Sequence, residues 1–124
     1  MSFPWLLLAE YLYIEGTSFA GDLPKLPSSL REFDASSTLI NGGLTSENFE
    51  GLDSLSRLEL NFLNFNQPIP TTLAALPSLE FLYMAFSGIT GDLSFLSQMT
   101  SIAEIALDGN PGIVCMPRLS FLEC

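Results

Sequence analysis

The sequence predicts an α/β solenoid: short parallel strands stacked side by side, with short helices, 3₁₀ turns or extended segments returning behind them. Three observations predict it. Of the 124 residues, 48% are hydrophobic and only 15% charged, so the chain has apolar surface enough to form a packed core. Two near-copies, Phe19-Ala20-Gly21-Asp22-Leu23 and Ile89-Thr90-Gly91-Asp92-Leu93, mark an internal repeat. Working outward from them, five segments align on a common spacing of apolar residues. The chain is long enough for one domain and not for two, so residues 1–124 are read as one domain with segments at about 9–29, 30–54, 55–78, 79–101 and 102–124.

The five segments can be written in order. The first is Leu12-x-Ile14-x-x-Thr17-x-Phe19-x-Gly21-x-Leu23-Pro24. The second is Leu30-x-x-Phe33-x-Ala35-x-x-Thr38-x-Ile40-x-Gly42-x-Leu44. The third is Leu55-x-x-Leu58-x-Leu60-x-x-Leu63-x-Phe65-x-Gln67-x-Ile69-Pro70. The fourth is Leu79-x-x-Leu82-x-Met84-x-x-Ser87-x-Ile89-x-Gly91-x-Leu93. The fifth, Ile102-x-x-Ile105-x-Leu107-x-x-Asn110, fades through Gly112 and Ile113. From Leu12 to Phe33, Leu58, Leu82 and Ile105 the steps are 21, 25, 24 and 23 residues.

Within each segment the L-x-L core has a period of two, which places its apolar residues on one side of a short strand and the x residues on the other. One such strand cannot bury its apolar side alone; stacked units share a core and form a parallel sheet. Glycine beyond the strand permits a turn with positive φ, and Pro24 and Pro70 fix φ where the chain departs on its return. On that return, 45–52 combines cap hydroxyls with Phe49 and Leu52 and predicts a short helix. The stretches 71–76, after Pro70, and 93–99 read the same way. Residues 24–29 hold two prolines and predict an extended path or one 3₁₀ turn.

This lattice resembles the plant-type subclass of leucine-rich-repeat proteins, whose repeat runs L-x-x-L-x-L-x-x-N-x-L-x-G-x-I-P. The likeness covers about Ala9 to Ile113. It implies a right-handed coil of about five repeats with the strands on a concave face, and a noncatalytic module that binds a protein, peptide or glycan on that face, as in receptor-like or secreted repeat ectodomains. An inhibitor of an extracellular hydrolase is the alternative, as is a structural fragment of a longer receptor. The family's Asn position here holds Thr17, Thr38, Leu63, Ser87 and Asn110. Leu63 cannot hydrogen-bond and Gln67 stands where the glycine is usual, so the third turn is expected to be the least regular. The resemblance also implies a capping disulfide between Cys115 and Cys124; the alternative is two unpaired thiols. An extracellular setting follows from the resemblance alone.

By alternation the strand face presents Tyr11, Tyr13 and Glu15; Glu32, Asp34 and Ser36; Arg57, Glu59 and Asn61; Phe81, Tyr83 and Ala85; Glu104, Ala106 and Asp108. Six acids, one base and four aromatics fall in this set, with Phe62 and Phe86 flanking it. Tyr and Phe supply rigid contact area, and acids select and steer a basic or neutral polar partner. The candidate ligand-binding residues are therefore Tyr11, Tyr13, Glu15, Glu32, Asp34, Arg57, Glu59, Asn61, Phe81, Tyr83, Glu104 and Asp108. The competing reading is a solvated face of an acidic protein. Glu32, Asp34 and Glu59 as a Ca²⁺ site, and Glu32 with Glu59 as a glycosidase pair, lack a ligand loop and a cleft in the pattern. No metal or cofactor is expected.

Composition excludes other classes. The net charge of −10, from fourteen acids and four bases, offers no basic stripe for nucleic acid and is repelled by an anionic membrane. The absence of histidine removes His-based triads and His-ligated zinc. The apolar run 3–9 is much shorter than the roughly 20 residues that span a bilayer, and no Lys or Arg precedes it as in a signal peptide. Phe3, Trp5, Leu6 and Leu7 at one end and Phe121 and Leu122 at the other stand where a stacked array needs polar caps. That leads to the expectation of a stretch from a longer array, able to self-associate through uncapped ends.

Overall fold

The computed structural model describes residues 8–115. Along the chain run strands β1 (Tyr11–Tyr13), β2 (Ala20–Asp22), β3 (Glu32–Asp34) and β4 (Leu39–Gly42), then helix α1 (Ser46–Phe49) and strand β5 (Arg57–Glu59). A 3₁₀ helix (Thr71–Ala75) leads to β6 (Phe81–Tyr83) and β7 (Thr90–Asp92). A second 3₁₀ helix (Ser94–Gln98) precedes β8 (Glu104–Ala106) and β9 (Gly112–Cys115). The protein is α/β, with parallel strands and few helices. No helix among the described residues is long and apolar enough to cross a membrane.

The main sheet has the order β1-β3-β5-β6-β8, every pair parallel. Its register places Leu12, Phe33, Leu58, Leu82 and Ile105 side by side, each at the centre of a three-residue strand. The three inner members of this column, Phe33, Leu58 and Leu82, are fully buried. Their strand neighbours point the other way, because successive Cβ atoms alternate across a pleated strand. The pairing continues past the strands: the N–H groups of Ile14, Ala35, Leu60 and Met84 donate to the carbonyls of Asp34, Glu59, Tyr83 and Ala106 at 2.7–3.1 Å. Ala35, Leu60, Met84 and Leu107 thereby form a second buried column. Leu30, Leu55 and Leu79 close the core on one side; Leu26, Phe49, Leu52, Leu73, Leu76, Leu96 and Met99 close it from the return segments.

The return segments differ from one another for local reasons. Helix α1 is capped by Thr45, whose Oγ1 accepts from the Asn48 N–H at 3.4 Å. At its far end Lys25 Nζ donates to the carbonyls of Glu47 and Glu50, a charge placement that suits a helix C-terminus. The stretches 71–76 and 93–99, expected as helices like that one, are 3₁₀ turns instead. Each closes through i→i+3 bonds, Leu73 N–H to Pro70 O and Leu96 N–H to Leu93 O, both 3.1 Å. Residues 24–29 form no helix; Leu30 N–H closes a turn onto Pro27 O at 3.1 Å.

Two small parallel sheets lie beyond the main one, β2 with β4 and β7 with β9, each with a register shift after Gly21 or Gly91. The composition did not foretell them. Between them stands only a bridge, Gln67 to Ile89. There the chain reads Gln67-Pro68-Ile69-Pro70, and two prolines withdraw two N–H donors from any ladder. Asn66 adds a left-handed φ of 52°. The third turn is thus the irregular one.

The polar position after the strands is unequal across segments. Asn110 accepts from the N–H groups of Ser87 and Ile89 at 2.9 and 3.0 Å, and its Nδ2 donates to Met84 and Leu107 carbonyls at 2.8 Å. Ser87 in turn donates to Leu60 O and accepts from Leu63 N–H. Leu63 is buried and carries the bonding no further, while Thr38 and Thr17 bond only their own turns, to Ala35 O and Ile14 O. Cys115 is buried at the end of β9 and disulfide-bonded. Its expected partner Cys124 and the apolar ends at 3–7 and 121–122 lie outside the described residues. Replacing Asn110 by Leu strands four buried backbone groups, each worth roughly 1–3 kcal/mol when unpaired. Urea unfolding is expected to show a loss of about 3 kcal/mol or more, against less than about 1 kcal/mol for Thr17→Val at an exposed turn.

Candidate functional site

The register that buries the strand centres lines the outward residues into rows. One row is Tyr11, Glu32, Arg57, Phe81, Glu104; the next is Tyr13, Asp34, Glu59, Tyr83, Ala106. A third row, Glu15, Ser36, Asn61, Ala85 and Asp108, follows from backbone bonds of Gly16 to Ser36, Ser37 to Asn61, Phe62 to Ala85 and Phe86 to Asp108, at 2.9–3.0 Å. All twelve candidate residues therefore share one face, spread over neighbouring rows rather than gathered at one point.

Several of them bond each other. Tyr13 Oη donates to Glu32 Oε1, and Tyr83 Oη donates to Glu104 Oε1 at 2.8 Å. Arg57 Nε donates to Glu59 Oε2 at 2.7 Å, and its guanidinium lies 5.3 Å from the centre of the Phe81 ring and 5.2 Å from that of Tyr83. Those two rings are themselves stacked, with centroids 6.4 Å apart. The one base of the face is thus enclosed by a carboxylate and two π faces, the arrangement that favours a guanidinium. Asp34 Oδ1 accepts from the Ser36 N–H at 2.9 Å. Asn61 serves the backbone, its Oδ1 accepting from Ala85 N–H at 2.8 Å. Glu15 and Asp108 are exposed and hold no side-chain partner among the described residues.

Of the face's carboxylates only Glu59 is paired with a cation among the described residues, while the phenols bonded to Glu32 and Glu104 leave their charge in place. Glu32, Glu59 and Glu104 each have an internal partner, and among the described residues no three acidic or thiol groups converge as metal ligands would. Glu32 and Glu59 are taken by different side chains on an open sheet surface.

Two features escaped the sequence reading. At the strand edge where the chain enters, a shallow polar cleft of about 360 Å³ is lined by Tyr11, Arg31, Glu32, Ser54, Ser56, Ser78 and Glu80. Arg31 pairs there with Glu10 at 3.3 Å. Serines 29, 54, 78 and 101 recur four residues before four of the five strand centres, and Ser29, Ser78 and Ser101 donate to carbonyls of the preceding segment. That spacing was visible in the sequence.

The second feature lies four residues after each strand centre. Gly16, Ser37, Phe62, Phe86 and Gly109 all have left-handed backbone, with φ of 74°, 58°, 57°, 52° and 75°. A bulky residue there is unusual. Phe62 and Phe86 are 60% and 51% exposed, and their rings stack nearly parallel at 5.5 Å. A Cβ on Gly109 would run into the Phe86 ring, so the absence of a side chain at 109 leaves that ring its place.

The hydrogen bond from Tyr13 to Glu32, with burial and the Glu32 charge adding to it, pushes the Tyr13 phenol up to about 12. The bond to Glu104 raises Tyr83 in the same way. A phenol whose folded pKa is raised stabilises the fold below its unfolded value of about 10, and that contribution is lost as pH climbs towards 12. In an ultraviolet titration of the phenolate, the Tyr13 step is expected near pH 12 and at lower pH in Glu32→Gln; an unmoved step rejects the assignment. No family model, curated protein or solved structure matches the chain.

Proposed function

We propose that the protein is a noncatalytic module that binds a protein or peptide segment along the outward face of its main sheet, and that its architecture is a leucine-rich-repeat solenoid. The repeated segments of 21 to 25 residues support the architecture, since their aligned leucine-type positions are the paired positions of the sheet. The observation that carries the binding role is two pairs of rigid aromatic side chains on one face, Tyr11 with Tyr13 on β1 and Phe81 with Tyr83 on β6. Tyr11 and Tyr13 are exposed, Phe81 and Tyr83 are half-buried in their stack, and the carboxylates of Glu15 and Asp108 stand beside them in the third row. Exposed aromatic area of this kind usually marks contact, and aromatic residues carry much of the energy of protein interfaces.

Size and charge shape the partner. With strands about 4.8 Å apart, five of them make a wall of roughly 20 Å. That suits an extended segment of a few residues better than a standard globular interface of roughly 20–30 residues a side. A net charge of −10 favours a basic or neutral polar segment and speeds its encounter. Catalysis is not part of the proposal.

Panning a random peptide library over the full chain tests this reading. Enriched peptides are expected to be rich in Lys and Arg, and to bind a Tyr13→Ala/Phe81→Ala double variant at least about tenfold more weakly. Both positions face solvent, so circular dichroism of the variant should match that of the parent. Failure to enrich any peptide, or equal binding to the variant, refutes the proposed face.

A further inference from the structure

We infer that the side of the Phe62 ring facing Ser37 is a seat for a guanidinium group, and that the partner segment contributes an arginine there. The inference rests on the binding role proposed above and names the chemistry of one position within it. Phe62 and Phe86 stack at 5.5 Å, close to the spacing of neighbouring strands, so the rings follow one another along the direction in which the segments stack. Phe86 is covered on its far side by Gly109. The far side of Phe62 therefore looks toward the second and first segments, where the same position is occupied by Ser37 and Gly16. Ser37 has a short side chain, and a Cβ on Gly16 would meet nothing within 4 Å. Two ring-bearing positions are thus followed by two nearly empty ones, which leaves room for a flat group to continue the stack.

Charge decides which flat group. Glu15, an exposed carboxylate with no partner among the described residues, directly precedes Gly16, and Asp34, which accepts from Ser36 through one oxygen only, lies three residues before Ser37. The same face already shows how it holds a guanidinium: Arg57 lies over Phe81 and Tyr83 while bonding Glu59. The Phe62 position has a ring, with these carboxylates two segments and one segment away, and no arginine of its own. Arginine fits both requirements better than lysine, since its planar fork stacks on a ring while it bonds a carboxylate.

The probe is a capped pentapeptide carrying one arginine, compared with its lysine and citrulline forms, citrulline being the uncharged counterpart of the same shape. Binding is followed by nuclear magnetic resonance of the aromatic rings of the full chain. The arginine peptide is expected to shift the Phe62 ring signals, the lysine peptide to do so more weakly, and the citrulline peptide not to. Phe62→Ala and Glu15→Gln are each expected to weaken binding about two- to fivefold, the range of exposed cation–π and surface ion pairs. Ser37→Phe places the protein's own ring in the seat and is expected to abolish the effect while the Tyr13 and Tyr83 signals stay in place. Equal binding of the citrulline peptide, undiminished binding to Ser37→Phe, or no shift at Phe62 overturns the inference. Shifts confined to Tyr13, Phe81 and Tyr83 would overturn the seat while leaving the proposed binding face standing.

Discussion

The in-register parallel pairing of Leu12, Phe33, Leu58, Leu82 and Ile105 is the constraint on which everything else depends. A three-residue strand has one inward side chain and too little area to be stable alone. Side by side, five such strands bury a shared column, and the backbone bonds between them hold equivalent residues of successive segments a fixed distance apart. Whatever residue type recurs at a given offset from the column then becomes a row. The leucines make the core, the outward residues make a face, and the serines four residues earlier make a line of bonds to the preceding segment.

This explains why single residues matter unequally. Asn110 satisfies four backbone groups belonging to two segments, whereas Thr17 and Thr38 serve only their own turns. A side chain that reaches across the stack supports two units at once. Leu63 gives up that reach and adds apolar area to the core instead, next to the turn where Pro68 and Pro70 already prevent strand pairing. The irregularity of the third turn is therefore one local arrangement with several causes.

The outward face follows the same logic with opposite chemistry. Arg57 is flanked across the register by Glu32 and Phe81, and its guanidinium organises Glu59, Phe81 and Tyr83 into one cluster. One carboxylate, Glu59, is thereby neutralised internally, and Glu15 and Asp108, which have no side-chain partner among the described residues, stand at the edge of the face. The stacked Phe62 and Phe86 lie along that edge. The proposed partner-binding role thus extends from the sheet face to its outgoing rim.

By itself the sequence determined the strand positions, their parallel order and the membership of the outward face, because a period of two and a fixed step between segments dictate which residues become neighbours. It also marked the third turn as irregular, through Leu63, Gln67 and the prolines. Tertiary structure alone decided the rest. At 71–75 and 94–98 the chain forms 3₁₀ turns where its residue types read like those of helix α1. The two small sheets form only once β2 meets β4 and β7 meets β9. The Tyr13–Glu32 and Tyr83–Glu104 bonds need partners that are 19 and 21 residues away. The left-handed row from Gly16 to Gly109 could not be read from residue types, since Ser and Phe do not announce positive φ; it is imposed by the turn that every segment must make to leave the sheet.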